Sequence, residues 1–142
     1  MAGFLIDTCV LSETRKRRPD AGVVQFLAGA DAVQLYLSVL TIGEMRKGIE
    51  KKRLTDADAA GQIAAWADRI ETDFADRILP LDAAVARVWG ELSAGGRAPV
   101  IDTLIAATAL VHGLTVVTRN MKDFVASGVP LLNPWRGVGP KC

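Results

Sequence analysis

What most limits the folds open to this chain is the alternation of short apolar runs with longer stretches of helical periodicity. The short runs, several of them β-branched, occupy residues 3–6, 35–39, 77–79, 114–117 and 129–132, all of strand length. Between them Ile63, Trp66, Ala67, Ile70 and Phe74 recur at helical spacing, and so do Leu81, Val85, Val88, Trp89 and Leu92. Asp20 and Thr55 stand where the N-caps of following helices are expected. Strands that alternate with helices pair in parallel, because each crossover returns the chain to the same end of the sheet. The expectation is an α/β fold: a three-layer α/β/α sandwich with a mostly parallel sheet of four to five strands. The chain has 142 residues, half of them apolar, and no repeat, low-complexity tract or long linker. It reads as one domain over residues 1–142.

In an open parallel sheet the functional crevice lies outside the carboxyl ends of the strands, so the residues just after each strand are the informative ones. Asp7 holds that place in LIDTCVLSE. After the second run comes SVLTIGEMRKG, which puts Glu44 in the first turn of the next helix. After residues 114–117 comes TRNMKDF, which brings Thr118, Asn120 and Asp123 to the same rim. One more acid, Asp102, lies in the first turn of PVIDTLIAATALVHG. That helix, over about residues 100–111, is apolar nearly all round and reads as buried, so its carboxylate needs hydrogen bonds or a cation.

Each acid has a local role open to it. Asp7 can cap a helix beginning near Cys9, Thr41 to Glu44 fits the T-x-x-E capping box, Asp102 can complement a helix dipole, and Asp123 can be solvated. Those roles leave unexplained why several acids gather at one rim beside hydroxyls and an amide. Like charges held together repel strongly unless a divalent cation joins them. Oxygen-only donors favour Mg2+ or Mn2+ over softer metals. Such an ion polarises a phosphodiester and lowers the pKa of water, which is the chemistry of phosphate-ester hydrolysis.

Together LIDTCVLSE, LSVLTIGEMRKGIE, RAPVIDTLIAATAL, LTVVTRNMKDF and LNPW resemble, in order and spacing, the PIN-domain ribonucleases of the VapC and FitB-like toxin group. The resemblance covers essentially the whole chain. It implies that Asp7, Glu44 and Asp102 bind the divalent ion and that Thr118 is the supporting hydroxyl of the T-x-D/N element. It further implies an endonuclease acting on RNA, a homodimer, and an antitoxin that occupies the cleft in a larger toxin–antitoxin complex. Two positions depart from the family pattern. Asn120 stands where many relatives carry a fourth acid, so the fourth ligand is Asn120 or Asp123 and metal affinity is expected to be weak. Cys9 replaces the usual asparagine and reads as buried packing, not as a nucleophile.

For an RNA substrate, the basic candidates are Arg15, Lys16, Arg17 and Arg18, and Arg46, Lys47, Lys51, Lys52 and Arg53 on the helix bearing Glu44. Arg46, two residues beyond Glu44, and Arg15 are the expected phosphate contacts. No aromatics interleave with either patch, so no base preference is legible. The sole histidine, His112, reads as a helix C-terminal partner.

Competing readings meet specific obstacles. A dinucleotide fold wants G-x-G-x-x-G where the chain has D-T-C-V. A phosphatase with an aspartyl nucleophile at Asp7 wants a second acid where Cys9 stands. A PIN-like subunit that only binds RNA or a protein partner is the alternative from another class. The 17 basic and 16 acidic residues nearly cancel and announce no partner. Cys9 and Cys142 match no disulfide framework or zinc spacing, which suits a reducing compartment. Asp7 interrupts the apolar N-terminus too soon for a signal peptide, and no run reaches the roughly 18 apolar residues of a membrane span. A cytoplasmic location is expected.

Overall fold

The structure is a computed structural model that describes residues 3–96 and 98–136; Cys142 lies outside the described residues. Five strands, β1 (Phe4–Ile6), β2 (Leu35–Ser38), β3 (Ile78–Leu79), β4 (Thr115–Val117) and β5 (Leu131–Leu132), form one sheet in the order β3-β2-β1-β4-β5. Every pairing is parallel, with Phe4 opposite Leu35 on one side and Thr115 on the other. Each strand lies where the sequence places it, trimmed by one or two residues. The helices are α1 (Thr8–Glu13), α2 (Ala21–Gly29), α3 (Val39–Arg53), α4 (Ala57–Asp73), α5 (Ala83–Ser93) and α6 (Val100–His112).

Adjacent strand residues point to opposite faces, and here both faces are covered. Ile6, Leu35, Leu37 and Val117 pack against Cys9, Val10 and Leu11 of α1, Val23 of α2 and Met45 of α3, with Trp66 and Ile70 of α4 behind them. Their neighbours Leu5 and Val116 pack on the other side against Ile105, Ala106 and Ala109 of α6, with Leu92 of α5 and Phe124. The result is the three-layer sandwich. A smaller cluster of Ile49, Ala60 and Ala67 joins α3 to α4.

Several helix starts differ from expectation. Asp20 caps α2 through Gly22 and Val23 as expected, but α4 is capped by Asp56, whose carboxylate accepts from the Ala59 N–H. Thr55 instead donates its hydroxyl back to the Lys52 carbonyl. The α3 helix begins at Val39 under a Ser38 cap, one turn earlier than the capping-box pattern suggests. Thr41 is therefore buried inside the helix, and Glu44 falls in its second turn. Leu81 precedes α5 and is exposed. The α6 helix is less enclosed than its composition implies: Val100, Ile101 and Leu110 face outward. It ends at Gly113, whose positive φ of 66° closes the turn after His112. Among the described residues no helix is long and apolar enough to cross a membrane.

Residues 133–136 run back over the start of α2. The Arg136 N–H donates to Asp20 Oδ1 at 3.0 Å, beside the Gly22 N–H at 2.8 Å. A Cβ on Gly22 would lie 2.1 Å from the Pro134 carbonyl oxygen, so this close approach requires glycine. Gly22→Ala is expected to lower stability by about 1–3 kcal/mol through overpacking. Gly61→Ala, on an open face of α4, should be neutral or stabilising. Thermal unfolding of both variants checks the contrast.

Candidate active site

The sheet order sets where a ligand can bind. From β1 the chain winds outward through β2 to β3, then crosses back to β4 on the other side of β1. The winding reverses between β1 and β4, and their carboxyl ends open the crevice at that switch point. Asp7 and Thr118 are the first residues beyond those two ends.

Asp7 extends the ladder by one bond, its N–H donating to the Val117 carbonyl at 3.0 Å. Its side chain then caps α1, Oδ1 accepting from the Thr8 N–H at 2.9 Å. Oδ2 accepts from the Thr118 hydroxyl at 2.8 Å, and the Cys9 thiol points at the same oxygen from 3.7 Å. Thr118 is buried behind Asp7 and is itself held by the Asn120 N–H at 3.0 Å. The capping role and a place in the crevice therefore coincide in one carboxylate. Cys9 is buried, as its small apolar character predicts, yet it also touches both Asp7 and Thr118.

Glu44 reaches the crevice from α3, and its Oε1 accepts from the Thr8 hydroxyl at 2.7 Å. Asp102 enters from the first turn of α6. Together Asp7, Thr8, Cys9, Ser12, Glu44, Asp102 and Asn120 line one cleft of about 410 Å³. Asp123 does not line it; its carboxylate accepts from the Asn120 side-chain amide.

The electrostatics bear the mark of crowded acids. Burial pushes the Asp7 carboxyl up, while the donors from Thr118, Thr8 and Cys9 pull the other way. Burial also raises Glu44, opposed by the Thr8 hydroxyl, with the charge of Asp7 adding to the rise. Asp102 is pushed up to about 6, first by burial and then by the charges of Asp7, Asp123 and Glu44. Among the described residues no cation offsets that rise. As the side chains lie, no group of three or more potential ligands among the described residues closes on a single point. Their donor chemistry, carboxylate oxygens beside hydroxyls and an amide, fits a hard divalent cation.

The basic candidates are placed differently from expectation. Arg46 is turned from the cleft and pairs with Asp68 at 2.6 Å and with Glu71, both on α4. It braces the α3–α4 hairpin, so its nearness to Glu44 in sequence does not place it in the cleft. Arg15 lies over the Trp66 ring at 5.2 Å. Lys47 and Lys51 instead line a groove of about 440 Å³ that shares Glu44 with the cleft. His112 is exposed at the far end of α6. Sequence reasoning missed Thr8 and Ser12 as cleft residues. Their separation by four positions, one helical turn past Asp7, is the signal that would have found them.

The model of the PIN domain family matches residues 4–126 of the chain. Toxin FitB of Neisseria gonorrhoeae (strain ATCC 700825 / FA 1090) is 34% identical over 143 residues, spanning 93% of this chain and 98% of that protein. The VapC ribonuclease Y4jK of Sinorhizobium fredii (strain NBRC 101917 / NGR234) is 34% identical over 141 residues, spanning 93% and 97%. The crystal structure of FitAcB from Neisseria gonorrhoeae superposes with a TM-score of 0.85 at 34% identity, covering 94% of this chain and 99% of that chain.

The raised carboxyl of Asp102 gives a pH signature. An unfolded chain releases that proton near the ordinary value of 3.8, the folded chain near 6. Between them the folded state holds more protons, so this group's contribution to stability is full below the lower value and is lost as pH rises through the upper one. In EDTA, Asp102→Asn should therefore raise the melting temperature over wild type at about pH 7.5 and change it little at about pH 4. Scanning calorimetry at the two pH values reads the difference.

Proposed function

This chain belongs to the PIN-domain family, and we propose that it is a metal-dependent endoribonuclease serving as the toxin of a type II toxin–antitoxin pair. The observation that carries the reading is the convergence of Asp7, Glu44 and Asp102 on one cleft at the switch point of the sheet. Similarity to a named ribonuclease and a named toxin over nearly the full chain supports it. The proposal carries with it a cytoplasmic homodimer and a larger complex in which an antitoxin covers the cleft.

Asp7, Glu44 and Asp102 would hold Mg2+ or Mn2+, with Asn120 offering a neutral oxygen at the rim. When bound, such an ion supplies the Lewis acidity that polarises a phosphodiester and makes water nucleophilic at neutral pH. The chain's own residues set the stage for that chemistry. Thr118 and the Thr8 N–H fix both oxygens of Asp7, so the carboxylate cannot swing away. The Thr8 hydroxyl holds one oxygen of Glu44. Lys47 and Lys51, along the adjoining groove, are placed to meet the phosphates of a bound strand in the role the sequence had suggested for Arg46.

Cleavage of a mixed pool of cellular RNA by the purified protein, titrated with Mn2+ or Mg2+, is the test. Discrete cuts that vanish in EDTA and in Asp7→Asn, with rates lowered by orders of magnitude in Glu44→Gln and Asp102→Asn, are the expected result. Glu44→Gln and Asp102→Asn should fold as well as wild type, because each removes repulsion; Asp7→Asn replaces one of two hydrogen-bonded acceptor oxygens by a donor, so its folding is checked by circular dichroism alongside. Normal cleavage by Asp102→Asn would remove that residue from the site. RNA binding without cuts, unaffected by EDTA, would instead favour a binding-only protein in which Asn120 has replaced a needed acid.

A further inference from the structure

We infer that Thr8 is a positioning residue that sets the aim of Glu44 across the cleft, an assignment that rests on the metal-site reading above. Thr8 is the first residue of α1 and touches both acids nearest it in different ways. Its backbone N–H serves Asp7 Oδ1 at 2.9 Å, and its hydroxyl serves Glu44 Oε1 at 2.7 Å. The first bond depends only on the main chain; the second depends on the side chain. That division makes the two roles separable by substitution.

Glu44 needs such a partner. It rises from the second turn of α3, with Gly43 before it and Gly48 one turn on, both in open space. Neither glycine presents a side chain that would confine it. Among the described residues Thr8 is the hydrogen-bond donor to its carboxylate, and it engages one oxygen, which leaves the other turned free. A glutamate has three side-chain torsions, and ordering it costs entropy that a fixed neighbour lowers in advance. Thr8 is suited to that task because its β-branch leaves few χ1 rotamers and its backbone is anchored by the Asp7 cap. The bond is also charge-assisted, the stronger kind of hydrogen bond. It ties α1 to α3 across the mouth of the cleft, 36 residues apart in sequence.

The test uses the full chain and two variants, with Mn2+ affinity read by isothermal titration calorimetry alongside the RNA cleavage rate. Thr8→Val keeps the shape, the β-branch and the N–H to Asp7, and removes only the hydroxyl. It should weaken Mn2+ binding by about 10-fold, the usual cost of losing a group that orients a ligand. Thr8→Ser, which restores the hydroxyl, should recover most of the loss. In a Glu44→Gln background Thr8→Val should add little, because a residue acting through Glu44 has nothing left to orient. Unchanged Mn2+ affinity in Thr8→Val, or a loss that adds in full to that of Glu44→Gln, would overturn the assignment while leaving the nuclease reading intact. Wild-type protein that binds no Mn2+ at all would instead sink both.

Discussion

The buried carboxylate of Asp7 is the constraint on which the rest of this structure turns. A charge with 8% of its residue surface exposed survives in a protein interior only if nearly every lone pair is met. Here the carboxylate's partners are the N–H and the Cys9 thiol at the start of α1 and the Thr118 hydroxyl beyond β4, while the main-chain N–H of the same residue extends the ladder to the Val117 carbonyl of β4. Satisfying one acid therefore fixes the register of β1 against β4 and the launch point of α1. It also fixes where the switch point of the sheet opens. The site is not added to a finished fold; its central acid is one of the contacts that hold the two middle strands in place.

From that anchor the electrostatics follow. Once Asp7 is ionised and immovable, Glu44 and Asp102 must share the remaining space with it, and its charge adds to the rise that burial gives both carboxyls. Glu44 is relieved by a hydroxyl, whereas burial and then the charges of Asp7, Asp123 and Glu44 all push Asp102 up, to about 6. A chain selected for stability alone would replace Asp102 by an apolar residue, since its helix is otherwise mostly aliphatic. Retaining it lowers stability in the metal-free state, the usual accompaniment of an active site poised for a ligand. On the proposed reading the cation reverses the sign: the repulsion that spreads the acids becomes the attraction that gathers them.

The fold and the acids were legible in the sequence for one reason: period and position are local quantities. Apolar runs of strand length between helical stretches suffice to imply a parallel sheet, and the rule that crevices lie beyond strand ends then selects Asp7 and Thr118. The failures share a cause too. Arg46 stands two residues from Glu44, but two positions on a helix turn a side chain by more than half a revolution, so sequence nearness misled. Its ion pairs lie on α4, residues 68 and 71, beyond any window of local pattern. The T-x-x-E pattern at Thr41 to Glu44 was equally a chance match, because Ser38 takes the cap from within the strand. Thr8 escaped notice because its value comes from a partner 36 residues away.

The neutral Asn120 is best understood through the charge it relays. Its main-chain N–H supports Thr118, which supports Asp7, so the backbone at this position serves the site whatever the side chain. Its amide faces the cleft while donating to Asp123, whose negative charge reaches Asp102 through space. On the proposed reading Asp123 stands in for the fourth acid, set back from the cleft by one hydrogen bond through the Asn120 amide. An acid in the cleft itself would add its full repulsion to Asp7, Glu44 and Asp102 in the metal-free chain, and its full attraction to a bound cation. Setting it back reduces both terms together, since each falls with distance and with solvent between. The expected consequence is a site easier to fold empty and weaker in its hold on the ion, with the three remaining carboxylates and their hydroxyl braces carrying correspondingly more of the binding.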